Sequence, residues 1–223
     1  MRVLAVAEEE DPRLTRARLA ELRPAVVVSC GDLPLDYLDY LASATDAPLA
    51  LVPGNHDPEL GPRRAPAPMP LPLVARPAEG QAGPPGWCTS VDGRVAELSG
   101  LTVAGLGGSL RYRRGPHQYT DSEMRRRALA LEARVRLRPS RPRPDLVVTH
   151  APPAGCGDGD DAAHRGFACF HRLVLALKPR YLVHGHVYPY GLAQPDRHLG
   201  ATTVVNAVPH RVLDLPLTGD GRW

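Results

Sequence analysis

Three short apolar runs near the start of the chain, over residues 2–7, 25–30 and 48–53, each stop abruptly at polar residues. Glu8, Glu9 and Glu10 follow the first, Gly31 and Asp32 the second, and Gly54, Asn55, His56 and Asp57 the third. Runs of four to eight apolar, often β-branched residues without polar alternation read as strands covered on both faces. The segments between them have room for one helix each, the first running to Leu22 with Asp11 as its N-cap and Pro12 at its first position, the second over 34–44. Strand, helix, strand in that rhythm calls for parallel strands with the polar residues at their carboxyl ends.

Farther along, residues 58–86 are crowded with Pro, Gly and Ala and keep no period, so they read as an irregular surface excursion. Strands are expected at 94–98 and 101–104, an Arg-rich helix at 121–137, a Pro-broken linker at 138–144 and a buried strand at 145–149. A helix over 166–177, a strand over 181–184 and a closing antiparallel pair at 201–205 and 211–215 complete the pattern. The expected architecture is α/β, two sheets with helices outside, in a single domain over residues 1–223.

Composition narrows the function classes. With 43% apolar and 23% charged residues the chain has ordinary globular usage, which argues against general disorder. The longest uncharged run, 181–195, is 15 residues, short of the roughly 18 apolar residues a membrane span needs. The apolar start is too short for a signal-peptide core, so a cytoplasmic location is expected and no membrane partner. Cys30, Cys88, Cys156 and Cys169 are scattered without a CxxC pair, which suits reduced thiols. A net charge of +3 and an Arg-rich helix without interleaved aromatics give no expectation of nucleic-acid binding. Nothing in the sequence sets an oligomeric state.

The later strand ends repeat the theme of the early ones: Thr149-His150 and His184-Gly185-His186. Asp, Asn and His delivered one strand at a time to one sheet edge suit a metal site, because a rigid edge fixes ligands that are distant in sequence. In this order the chain resembles the calcineurin-like metallophosphoesterases, whose pattern is D-x-H, G-D, G-N-H-D/E, a lone H and G-H-x-H. The matching residues are Gly31-Asp32, Gly54-Asn55-His56-Asp57, His150 and Gly185-His186. Smaller segments, 107–112 with 118–120 and 149–153 with 164–166, look like a bacterial branch of the same family.

The resemblance implies a four-layer α/β/β/α sandwich of two mixed sheets flanked by helices. It also implies one or two divalent cations, Mn, Fe, Mg or Zn, with Asp32 bridging and Asn55, His150 and His186 completing one site. The other site departs from the family: Glu8 and Glu10 stand where D-x-H would, and Tyr188 replaces the last His. Glu8 and Glu10 could still offer oxygen, favouring harder ions, whereas Tyr188 is a poor ligand. His56 is expected over the leaving oxygen, with Asp57 fixing its tautomer. Arg111, Arg113, Arg114 and His117 form a basic loop able to hold phosphate, and His164 with Arg165 and Tyr188 are further substrate-contact candidates. The implied activity is hydrolysis of a phosphate mono- or diester, on a small soluble molecule such as a nucleotide or sugar phosphate. The alternative is a catalytically impaired relative acting as a binding or scaffold module with one metal or none.

Overall fold

The computed structural model describes residues 1–59, 86–139, 143–189 and 195–215. Its elements in chain order are β1 (Arg2–Val6), α1 (Arg16–Leu22), β2 (Val26–Ser29), α2 (Leu35–Thr45), β3 (Leu49–Leu51), β4 (Cys88–Ser90), β5 (Val95–Leu98), β6 (Leu101–Leu106) and β7 (Ser109–Leu110). They continue with β8 (Gln118–Tyr119), α3 (Asp121–Arg136), β9 (Leu146–Thr149), α4 (Cys169–Leu177), β10 (Tyr181–His184), β11 (Arg197–Leu199), β12 (Thr202–Asn206) and β13 (His210–Asp214).

The apolar runs become the parallel centres of two sheets. One has the order β13-β1-β2-β3-β4, the other β11-β12-β10-β9-β6-β5, and a two-stranded ribbon joins β7 to β8. The edge strands β13, β5 and β11 run antiparallel to their neighbours, so both large sheets are mixed. Alternate residues of the central strands explain the layering. Val3, Ala5, Val26 and Val28 face Val103, Leu146, Val148 and Val183 in a dry seam between the sheets. Their neighbours Leu4, Val6 and Val27 pack under α1 and α2 through Leu19, Leu38 and Leu41. On the far side, Leu106, Val147 and Leu182 pack under α3 and α4 through Leu131, Phe170 and Leu173. The result is the expected four layers, and each fully buried Leu or Phe side chain in them contributes roughly 1.5–3 kcal/mol.

Several boundaries differ from expectation. Helix α1 starts four residues late for an Asp11 cap: Thr15 caps it, accepting from the Arg18 amide at 3.2 Å. Asp11 is instead buried, accepting from the Arg13 amide and guanidinium and from His210 Nδ1 at 2.6 Å, so it ties the exit of β1 to the start of β13. Helix α4 begins at Cys169 rather than Gly166, because Phe167 bonds back to the Pro152 carbonyl and a side chain at Gly166 would overlap it. The closing strands do not pair with each other: β12 lies parallel to β10, whereas β13 crosses to the other sheet and lies antiparallel to β1. Strands β4, β7, β8 and β11, of two or three residues, carry too little pattern to be read in advance. The excursion at 58–86 falls almost wholly outside the described residues.

Candidate metal centre

The carboxyl ends of β1, β2 and β3 meet those of β9 and β10 across the seam. Three residues here take left-handed backbone, Glu8 (φ 67), Asp32 (φ 56) and His186 (φ 68), each turning the chain sharply as a strand ends. Gly54 follows β3 because no side chain fits: a Cβ there would overlap the Asp32 carboxylate.

His150, fully buried, sits at the centre. Its Nδ1 lies 2.8 Å from the Cys30 carbonyl, a group that only accepts, so Nδ1 carries the ring proton. Burial pushes the imidazole down to about 3, so the ring is neutral and Nε2 presents a lone pair. That lone pair faces Asn55 Oδ1 at 2.9 Å and Asp32 Oδ2 at 3.5 Å. Asp32 Oδ2 is itself buried without a hydrogen-bond partner, while Oδ1 accepts from the His56 amide at 2.8 Å. His186 is built the same way: its Nε2 donates to the Ala163 carbonyl at 2.7 Å, leaving the Nδ1 lone pair, and burial holds it down to about 3. The two imidazoles tilt against each other with centroids 4.7 Å apart.

Glu8 completes the enclosure. Its Oε1 accepts from the His186 amide at 2.6 Å and lies 3.6 Å from His150 Nδ1. Burial, and then Asp32 beside it, push its carboxyl up to about 8. Glu8, Asp32 and His150 can offer ligand atoms within 4.8 Å of one another. The lone pairs of His150, Asn55 and Asp32 that converge here fit a cation, and Glu8, which holds a proton in the empty chain, could release it to one. The donors, imidazole nitrogen with carboxylate and amide oxygen, suit a divalent cation.

Glu10 does not join this cluster. It is exposed and lines a separate hollow with Tyr37 and Tyr40, because the left-handed turn at Glu8 and the buried anchor of Asp11 carry the chain away. Tyr188 does line the cavity, of about 300 Å³, together with Glu8, Asp32, Asn55, His56, Tyr112, His164 and His186.

His56 is exposed on the rim, and its expected partner is not the one it has. Asp57 Oδ2 accepts from the amides of Gly54 at 2.8 Å and Asp32 at 3.0 Å, stapling the loop after β3 to the loop after β2. What meets His56 Nδ1, at 3.2 Å, is the Arg113 guanidinium. Arginine cannot accept, so Nδ1 does, and the proton of the neutral ring stands on Nε2. The neighbouring Tyr112 hydroxyl accepts from Asn55 Nδ2 at 3.3 Å. Residues 111–117 thus touch two consecutive members of the G-N-H-D segment, contacts for which the sequence gives no signal beyond the basic loop itself.

The other candidates separate clearly. Arg111 is taken up by Glu123 at 2.9 Å and by the Gln118 carbonyl. His117 donates from Nε2 to the Pro58 carbonyl at 3.2 Å. His164, on the cavity wall, gives Nδ1–H to Asp161 at 2.7 Å, which turns Nε2 toward its acceptor role, whereas Arg165 is exposed outside that wall. The carbonyls of Cys30 and Ala163, which set the tautomers of the two central histidines, have no sequence signature at all.

Residues 12–190 match the family of calcineurin-like phosphoesterases. The chain belongs to this family. The match to the phosphoesterases starts beyond Glu8 and Glu10, the stretch where this chain departs from their pattern. A solved crystal structure shares the phosphoesterase fold at TM-score 0.62 and 18% identity, covering 96% of this chain and 94% of its own. The crystal structure of TT1561 of Thermus thermophilus does so at TM-score 0.56 and 16% identity, covering 92% and 88%. No curated protein matches the chain.

Proposed function

We propose that this phosphoesterase hydrolyses a small phosphate ester with one divalent cation held by Asp32, Asn55, His150 and His186, with the Glu8 carboxylate beside it. The observation that carries the reading is the unprotonated convergence at His150: Nε2, Asn55 Oδ1 and Asp32 Oδ2 all present lone pairs to the same point. A cation there supplies positive charge to phosphoryl oxygens and makes water a better nucleophile. The chain supplies the rest. His56, its Nδ1 fixed by Arg113, lines the cavity with Nε2–H as a hydrogen-bond donor that stabilises charge on the departing oxygen, which takes its proton from water. The Asp57 staple keeps His56 at the end of β3 while the His56 amide holds Asp32 Oδ1, so Oδ2 is left for the cation.

A second reading, a binding module with weakened catalysis, draws on one observation, the removal of Glu10 from the site. Metal content per chain measured by plasma mass spectrometry after manganese loading, with turnover of nitrophenyl mono- and diesters, separates the two. We expect one metal per chain, lost in Asn55→Ala and His150→Ala, and turnover that needs it. Bound metal without turnover of any ester supports the module instead.

A further inference from the structure

We propose that the apolar hollow on the far side of His56 binds the alcohol half of the substrate, and that this half is a ring-sized apolar group. The inference rests on the phosphoesterase reading above and adds the substrate class to it. The hollow has a volume of about 500 Å³, within the range of small-molecule sites. Its walls are largely apolar, with Leu33, Pro34, Leu38, Leu51, Val52 and Pro53 among them. The polar cavity is about 300 Å³ and is lined mostly by ionisable or hydrogen-bonding groups. That is room and chemistry for a cation and a phosphoryl group, and poor surroundings for an apolar remainder.

Two residues belong to both spaces, Asp32 and His56. A phosphoryl group placed against Asp32 with its leaving oxygen at His56 therefore directs the leaving group into the apolar hollow, since attack and departure lie in line. The mouth of the hollow carries Leu35, which is 38% exposed and among the few large apolar side chains left in water over the described residues. A bound ring would cover it. The apolar walls favour an apolar ring over a sugar, because several polar lining groups are already used: Ser29 Oγ accepts from the Gly31 amide, Asp32 Oδ1 from the His56 amide, and Asp57 from two amides.

The test uses the manganese-loaded full chain and two phosphonates that cannot be hydrolysed, 1-naphthylphosphonate and methylphosphonate, measured by titration calorimetry. We expect the naphthyl compound to bind at least tenfold more tightly, because only it buries apolar surface in the hollow. Leu35→Asn, an uncharged change at an exposed first-turn position, should lower naphthylphosphonate affinity severalfold and so shrink that preference. Independently of any variant, methyl NMR signals of Leu33, Leu38 and Val52 should shift with the naphthyl compound and stay fixed with the methyl one. Equal affinities, or unmoved methyl signals, overturn the inference. A naphthyl preference without turnover of naphthyl phosphate leaves the hollow intact and refutes the hydrolase reading, whereas turnover without preference does the reverse.

Discussion

Glu8 is a carboxyl held beside another carboxyl out of water, and its protonation has a measurable consequence. Its folded value of about 8 lies above the ordinary 4.5. The folded, metal-free chain therefore keeps a proton that the unfolded chain releases, and stability falls as pH climbs through that interval, by at most about 1.4 kcal/mol per pH unit. Buried His150 and His186 act oppositely, losing stability as pH drops from 6.5 toward about 3. Above pH 6.5 the Glu8 effect stands alone among these three, so the melting temperature without metal should decline from pH 6.5 to 8.5. Glu8→Gln keeps an oxygen for the His186 amide and should flatten the decline; an unchanged slope would reject this origin. At the rim, His56→Ala should cut kcat roughly a hundredfold or more with metal content intact. Arg113→Ala should cost about tenfold in kcat with melting temperature unmoved, since the side chain is exposed; a lowered melting temperature would make Arg113 a loop support instead. The sequence showed Asp57 next to His56 and invited a pair. After a tight turn, neighbours in the chain point to different partners, and the residue that touches the ring stands 57 positions away.

Elements explain why that distant residue arrives. Arg127 of α3 donates to the Gly107 carbonyl at 3.0 Å and to Asp92 at 2.5 Å, while Asp92 accepts from the Gly107 amide. Arg127 also lies over the Tyr119 ring at 4.1 Å. These bonds fix both ends of the segment that carries Tyr112 and Arg113. Arg127→Ala leaves their partners unsatisfied and should cost about 1–3 kcal/mol in urea unfolding, with a raised KM as the loop loosens. Gly54→Ala should abolish metal binding, because its Cβ would displace the Asp32 carboxylate. The strands that frame the site were readable because continuous apolar runs have one economical home, a covered parallel sheet. Two-residue strands, the destination of Asp11 and the crossing of β13 were not readable, since each depends on a partner from another part of the chain.

Across the whole molecule the proposed ligands divide between the sheets: Asp32 and Asn55 follow β2 and β3, His150 and His186 follow β9 and β10. A cation held by all four fastens one sheet to the other. At a hundredfold excess over its dissociation constant it should add about 2.7 kcal/mol to the unfolding free energy, visible as a rise in melting temperature with manganese that a chelator reverses and Asn55→Ala lacks. The order of the G-D, G-N-H-D and G-H segments made this site legible in the amino-acid sequence, because residues at successive strand ends must converge. Its altered half was not, because whether Glu8 and Glu10 stay together depends on the turn between them. That turn makes the departure from the family pattern epistatic. Glu8→Asp alone withdraws an oxygen from the His186 amide, held now at 2.6 Å, and loosens the loop after β10 before any ligand is gained. Glu10→His alone places an imidazole in the wrong hollow. Neither of these two single steps adds a ligand at the centre, so restoring the first family motif calls for changes made together with a rebuilt backbone turn, whereas Tyr188 already lines the cavity.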